Sequence, residues 1–166
     1  MCRTGFAQPG GGPDVTEPAE QIAALPLRYS GKGELQVLMV TSRETGRWVM
    51  PKGWTMDGKK PWAAAEIEAL EEAGAKGRIS RRAIGDYHYD KVLDDGSTVL
   101  CRVRVYPMIV QKLKRDWKER KQRKRRWFSA RSAAKSVHEP ELSELLRRID
   151  RKPKKDPALR ELLKAA

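Results

Sequence analysis

Apolar positions along the chain alternate between two periods, and the changes of period mark out the elements. Between Gln21 and Ser30 the run IAALPLRYS predicts a first strand, with Pro26 pointing to a sheet edge or bulge. Glu34 to Thr41, ELQVLMVT, predicts a second strand whose Val, Leu and Met positions imply burial on both faces. Arg47 to Met50 gives a short third strand that runs into a loop at Pro51-Lys52-Gly53. The period then lengthens. An alanine-rich stretch starting at Pro61 predicts a helix, with the missing N–H of Pro61 harmless in the first turn and Gly74 suited to the left-handed position past the end. Trp62, Ala69, Leu70 and Ala73 form the side expected to pack on the sheet. Ala64, Ala65 and Ala75 fall on the side of Glu68, Glu71 and Glu72, where small residues either leave room for a ligand or simply favour helix.

After Gly77 the strand period returns. Ile79 to Leu93, the turn Asp94-Asp95-Gly96 and Thr98 to Val110 predict a long hairpin. In its second arm Val99, Cys101, Val103 and Val105 alternate with Leu100, Arg102, Arg104 and Tyr106. One face is therefore core, with Cys101 a packing residue, and the other offers two arginines to water or to an anion. Gln111 to Arg126 is the most basic segment, in which Trp117 and the following Trp127 read as apolar anchors. Ser129 caps a short helix through Ser136. Pro140 to Ile149 predicts an amphipathic helix with Leu142, Leu145, Leu146 and Ile149 on its stripe, and Pro157 to Lys164 a last turn or two. The order predicts an α/β protein, a mixed sheet flanked by helices rather than a wound parallel sheet. The expected organisation is a disordered Gly- and Pro-rich arm over 1–20, one domain over 21–150, and a basic tail with a short helix over 151–166.

Composition narrows the class of partner. The chain has 166 residues, 39% hydrophobic and 34% charged, which suits one polar globular domain. No apolar run approaches the roughly 20 residues that span a bilayer, the N-terminus lacks the apolar segment of a secretory leader, and Cys2 and Cys101 are too few for a disulfide framework. Cytoplasmic residence is the expectation. A net charge of +13, from 35 basic and 22 acidic residues, favours a polyanionic partner: nucleic acid, an anionic membrane surface or a highly phosphorylated small molecule. A solvated basic surface is the plain alternative.

The candidate chemistry centres on Glu68, Glu71 and Glu72. Their i, i+3, i+4 spacing puts three like charges on one helical face, which repel one another and call for a cation. Carboxylate oxygens suit Mg²⁺ or Mn²⁺; a solvated acidic face is the competing reading. The flanking residues add a resemblance. Counted from Gly53, the chain follows the second half of the Nudix hydrolase signature G-x(5)-E-x(7)-R-E-U-x-E-E-x-G-U, here I-E-A-L-E-E-A-G-A, with Glu68, Glu71, Glu72 and Gly74 on its E, E, E and G positions. The resemblance implies an α/β/α sandwich and metal-dependent cleavage of a phosphoanhydride. It also implies a metal site that includes Glu68, Glu72 and Gly53, and Glu71 as a further ligand or the base that activates water. Lys59 stands at the first signature Glu, Ile67 at the signature Arg, and Ala69 and Ala75 at bulky aliphatic positions. Isoleucine cannot make the ion pair by which that arginine orients the glutamates, so a degenerate, non-catalytic domain is an alternative.

Further segments are similar to diphosphoinositol polyphosphate phosphohydrolases: Thr41-Ser42-Arg43, Arg47 to Pro51, Asp116-Trp117 followed by Glu119, and Arg123 to Phe128. Pro51 to Trp54, PKGW, resembles the loop of bacterial relatives. The similarity implies an inositol pyrophosphate or dinucleoside polyphosphate substrate, with Arg43 and Arg123 at positions that contact the polyphosphate. Lys52, by its place beside the metal site, Arg102 and Arg104 from strand geometry, and Lys91 from the hairpin complete the candidate substrate set. A nucleic-acid partner held through 112–126, including removal of an RNA 5′ pyrophosphate, is the second reading.

Overall fold

The computed structural model describes residues 17–164. Most of the arm expected over 1–20 lies outside them, but Ala19 and Glu20 already belong to the first strand. The strands are β1 (Ala19–Tyr29), β2 (Leu35–Thr41), β3 (Trp48–Val49), β4 (Lys52–Trp54), β5 (Ala75–Ile79), β6 (Gly85–Val92), β7 (Thr98–Leu113) and β8 (Arg125–Ser129); the helices are α1 (Pro61–Ala73), α2 (Ala130–Ser136), α3 (Pro140–Arg151) and α4 (Pro157–Lys164). All eight strands join one mixed sheet. Its spine, β3-β2-β1-β7-β5, is parallel at β1–β7 and antiparallel elsewhere, with β4 on β1, β6 on β7 and β8 on β2.

Two apolar layers follow from the period-two alternation of the central strands. Ala23, Leu25 and Leu27 of β1 face a core closed by α2, α3 and α4, whereas Ile22 and Ala24 face a smaller core closed by α1. The result is the expected α/β/α sandwich.

Several expectations change. Pro26 lies in a central strand, in the interval between the β4 partners (residues 21–23) and the β2 partners (residues 27–29), where the antiparallel ladder is interrupted. The predicted arm Ile79–Leu93 is two strands: β5 ends at Ile79, and a break carries the chain to the start of β6 at Gly85. Lys52-Gly53-Trp54, read as a loop, pairs with β1 through Gln21↔Trp54 and Ala23↔Lys52. Ala64 and Ala65 do not leave space beside the glutamates; with Ala69 and Ala73 they are fully buried in the smaller core, and Leu70 is only half-buried. Alanine thus serves close approach of α1 to the sheet. The boundary drawn at 150 falls inside α3, and Leu159 of α4 is buried in the larger core, so the C-terminal helix is part of the same packed unit.

Gly74 is left-handed (φ 65°) as expected, and its N–H donates to the Leu70 carbonyl 3.0 Å away. A Cβ there would also press on Arg125 and Trp117, so the position is constrained twice. Cys101 is fully buried, as its place in the alternation predicts.

Candidate active site

The three residues of β4 are central to the site. Period two sends Lys52 and Trp54 to one face and leaves Gly53 on the other, directed at α1. A Cβ at Gly53 would fall on the Glu68 carboxylate. Glycine thus leaves room for the Glu68 carboxylate to lie against the strand, where any side chain would push it aside. Glu72 approaches one residue earlier, accepting the Lys52 backbone N–H at 3.3 Å.

Around this contact lies a polar cavity of about 300 Å³ whose walls include Arg43, Lys52, Gly53, Glu68, Glu72, Lys91 and Arg123. Of the residues predicted from sequence, these are the ones the structure brings together. Glu71 is outside the lining and faces Lys118 at 3.5 Å. Its i−1 offset from Glu72 turns it around the helix toward the loop. Arg102 and Arg104 are also elsewhere: Arg102 donates to Asp86 at 2.9 Å and Arg104 lies 3.6 Å from the same carboxylate. The β6–β7 register sets Asp86 opposite Arg104, which supplies a counter-ion that alternation within one strand does not reveal.

Glu119, Gln21, Tyr89 and Trp54 line the cavity without having been assigned a role from sequence. The first comes from the loop between β7 and β8, and its placement has a clear cause. The last carbonyls of α1 lack helical partners. Trp117 Nε1 donates to the Glu72 carbonyl at 3.0 Å, the Glu119 N–H to that of Glu71 at 3.1 Å, and Arg125 Nη1 to that of Ala73 at 2.8 Å. Arg125 also stacks on Trp117 at 3.8 Å and donates to the Lys114 carbonyl at 2.8 Å. A cation at a helix C-terminus is favoured by the macrodipole as well. The loop therefore caps the helix that bears the acids.

That cap delivers Arg123, itself almost fully buried. Its Nε donates to Glu119 at 2.7 Å, its Nη1 to the Thr41 carbonyl at 3.0 Å, and its Nη2 lies 3.4 Å from Glu72. Ile67 cannot pair with an acid, but Arg123 supplies a guanidinium to one of those glutamates, Glu72, from outside the helix. Lys59 is exposed and apart from the cavity.

Electrostatics mark the pair Glu68 and Glu72. Burial, then the neighbouring Glu72 with Glu71 and Glu119, pushes the Glu68 carboxyl up to about 8. Burial also raises Glu72, against the opposing pull of Arg123. Lys52 is lowered by burial, which its carboxylate neighbours Glu72 and Glu139 resist; its ammonium sits 5.1 Å from the Tyr89 ring centroid. Tyr89 in turn donates to Gln21 at 2.6 Å.

The donor set suits a hard divalent cation. Among the described residues no three acidic, thiol or imidazole groups already converge as a metal cluster; Arg123 holds Glu119, and Lys118 faces Glu71. Mg²⁺ does not require such a cage: one or two carboxylates, with water and substrate phosphate oxygens, complete its shell. Two adjoining carboxyls held above their usual range, beside a strand glycine, fit that description.

Within the basic segment Arg123 and Arg125 point inward to these contacts, and Trp127 packs against the smaller core under Arg28. No helix of the described residues is long and apolar enough to cross a membrane.

Fold and cavity together define a protein that sets paired carboxylates beside a basic rim, an arrangement for handling phosphate. Comparison with known proteins gives the family. Residues 18–149 match the NUDIX domain, and the chain belongs to the Nudix hydrolase family. Human diphosphoinositol polyphosphate phosphohydrolase 3-alpha is 33% identical over 128 residues, covering 74% of each chain. Arabidopsis thaliana Nudix hydrolase 12, mitochondrial, is 34% identical over 103 residues, 60% of this chain and 51% of that protein. Among solved structures, a NUDIX hydrolase from Nitrosomonas europaea superposes with a TM-score of 0.63 at 20% identity, covering 88% of this chain and 96% of that one. The C. elegans Ap4A hydrolase does so with a TM-score of 0.59 at 19% identity, covering 80% and 96%. These last two support the fold.

Proposed function

We propose that this protein is a divalent-metal-dependent pyrophosphohydrolase that cleaves a phosphoanhydride of a polyphosphorylated small molecule, an inositol pyrophosphate or a dinucleoside polyphosphate. The observation that carries the reading is the meeting of Glu68 and Glu72 with Lys52, Arg43, Lys91 and Arg123 around one cavity. The relatives named for diphosphoinositol polyphosphates support the substrate class.

Glu68, Glu72 and the Gly53 backbone would hold Mg²⁺ or Mn²⁺. Once bound, the ion offsets phosphate charge and makes water easier to deprotonate. The chain's own contribution is to position and to exclude. Arg43 and Lys91 neutralise the ends of the polyphosphate, arginine presenting a planar fork to phosphate oxygens. Arg123 links Glu72 and Glu119 and fixes both. Glu71, implied as the base by resemblance, faces Lys118 instead. Glu44 and Glu119 are the wall carboxylates not required for the cation; Arg123 holds Glu119 beside Glu72, and we assign Glu119 the proton from water.

Incubation with Mg²⁺ or Mn²⁺ and a panel of diadenosine polyphosphate, inositol pyrophosphate, nucleoside diphosphate derivatives and 5′-triphosphate RNA tests this reading. Phosphate-containing products from a small molecule, abolished by chelation, are expected. Turnover of RNA alone, or of nothing on the panel, would overturn it.

A further inference from the structure

Trp54 is left unused by the chemistry above. It is 46% exposed, one of five exposed large apolar side chains among the described residues, and of those five it alone lines the carboxylate cavity. Its backbone pairs with Gln21, so the sheet fixes the point from which the side chain leaves the strand. Tyr89, the other aromatic ring on this wall, is occupied: its hydroxyl bonds Gln21 and one ring face lies under the Lys52 ammonium. Trp54 stands on the same strand face as Lys52, next to bare Gly53, and lines the same cavity as Glu68.

A molecule whose anhydride lies at Glu68 and Glu72 therefore passes over Gly53 and Lys52 and arrives at an open indole. Phosphates have no use for such a surface, whereas a purine has a π-face that stacks on it. We propose that Trp54 is a stacking platform for a nucleobase, so that this site prefers a polyphosphate ending in a nucleoside over one without a base. The proposal rests on the hydrolase reading for the placement of the phosphates, and its test separates the two.

Binding is measured by calorimetry for diadenosine pentaphosphate and for inorganic tripolyphosphate, with wild type, Trp54→Ala and Trp54→Phe. Hydrolysis of the same dinucleotide is followed alongside. The expected result is an affinity for the dinucleotide about tenfold weaker in Trp54→Ala, within about threefold of wild type in Trp54→Phe, and tripolyphosphate binding unchanged. Equal loss for both ligands, or no loss for the dinucleotide, overturns the platform even if hydrolysis proceeds. Selective loss of dinucleotide binding sustains the platform whether or not wild type turns the dinucleotide over, whereas the hydrolase reading falls only if wild type hydrolyses no small molecule of the panel above.

Discussion

Glu68 pressed against Gly53 is a contact that favours function over stability. An acid held near pH 8 by burial and by like charge binds its proton more tightly folded than unfolded, where the ordinary value is 4.5. The native state then carries more protons, so stability contributed by this group is intact below about pH 4.5 and is lost as pH rises toward 8. Metal-free protein should accordingly melt at progressively lower temperature from pH 5 to 8, and added Mg²⁺ should recover more at pH 8 than at pH 5. Glu68→Gln should melt above wild type at pH 8 without metal while losing activity. A calorimetric series over pH checks both, and a flat profile contradicts the crowding of the acids. At the same scale, Gly53→Ala drives a Cβ into that carboxylate and should cut turnover at least tenfold. Glu119→Gln should lower kcat by about 10²-fold or more, and Glu71→Gln by much less; the reverse ranking would return the base to Glu71.

Among the elements, the link between α1 and the β7–β8 loop matters most. Arg125 meets the Ala73 and Lys114 carbonyls and covers Trp117, which holds the Glu72 carbonyl. Arg125→Ala leaves those acceptors without a partner and should destabilise by about 1–3 kcal/mol in denaturant unfolding. Because the same loop carries Arg123 and Glu119, activity at a permissive temperature should fall with it. The sequence pattern showed α1, its proline start and its Gly74 stop, since each rests on local backbone preference. It did not show that Lys52–Trp54 is a strand, because a three-residue strand exists only through its pairing with β1. Nor could it tell that Ala64 and Ala65 face the sheet, for alanine carries too weak an apolar signal to orient a helix. The carboxylates were legible from spacing; their neighbours Tyr89 and Glu119 were not, because they arrive from elements distant in sequence.

Across the whole molecule, the basic excess is spread unevenly. Arg102 and Arg104 share Asp86, with Glu20 also near Arg102, while Arg43, Lys52, Lys91 and Arg123 gather at the cavity. Alternation along β7 gave the two arginines a common face but could not reveal that β6 answers them with an acid. A cavity with such a rim should steer anions, so KM for a polyphosphate should rise several-fold between about 50 mM and 500 mM KCl, with a smaller change in kcat. α4, expected as a tail, seats Leu159 in the larger core. Leu159→Ala should therefore cost about 2–5 kcal/mol, and a negligible loss would show that the helix is dispensable.

In the proposed reaction Glu72, with Glu68, forms the metal-dependent centre of a phosphoanhydride hydrolase. Glu72→Gln keeps the side chain's size and its acceptor for the Lys52 N–H while removing the charge. The direct measurement is product formation from diadenosine pentaphosphate and from an inositol pyrophosphate by wild type and Glu72→Gln across a Mg²⁺ titration, with thermal melting to verify folding. Metal-dependent turnover by wild type on at least one substrate is expected, with a loss of about 10²-fold or more in a folded variant. Turnover that Glu72→Gln retains, or that needs no divalent ion, would contradict this role for Glu72.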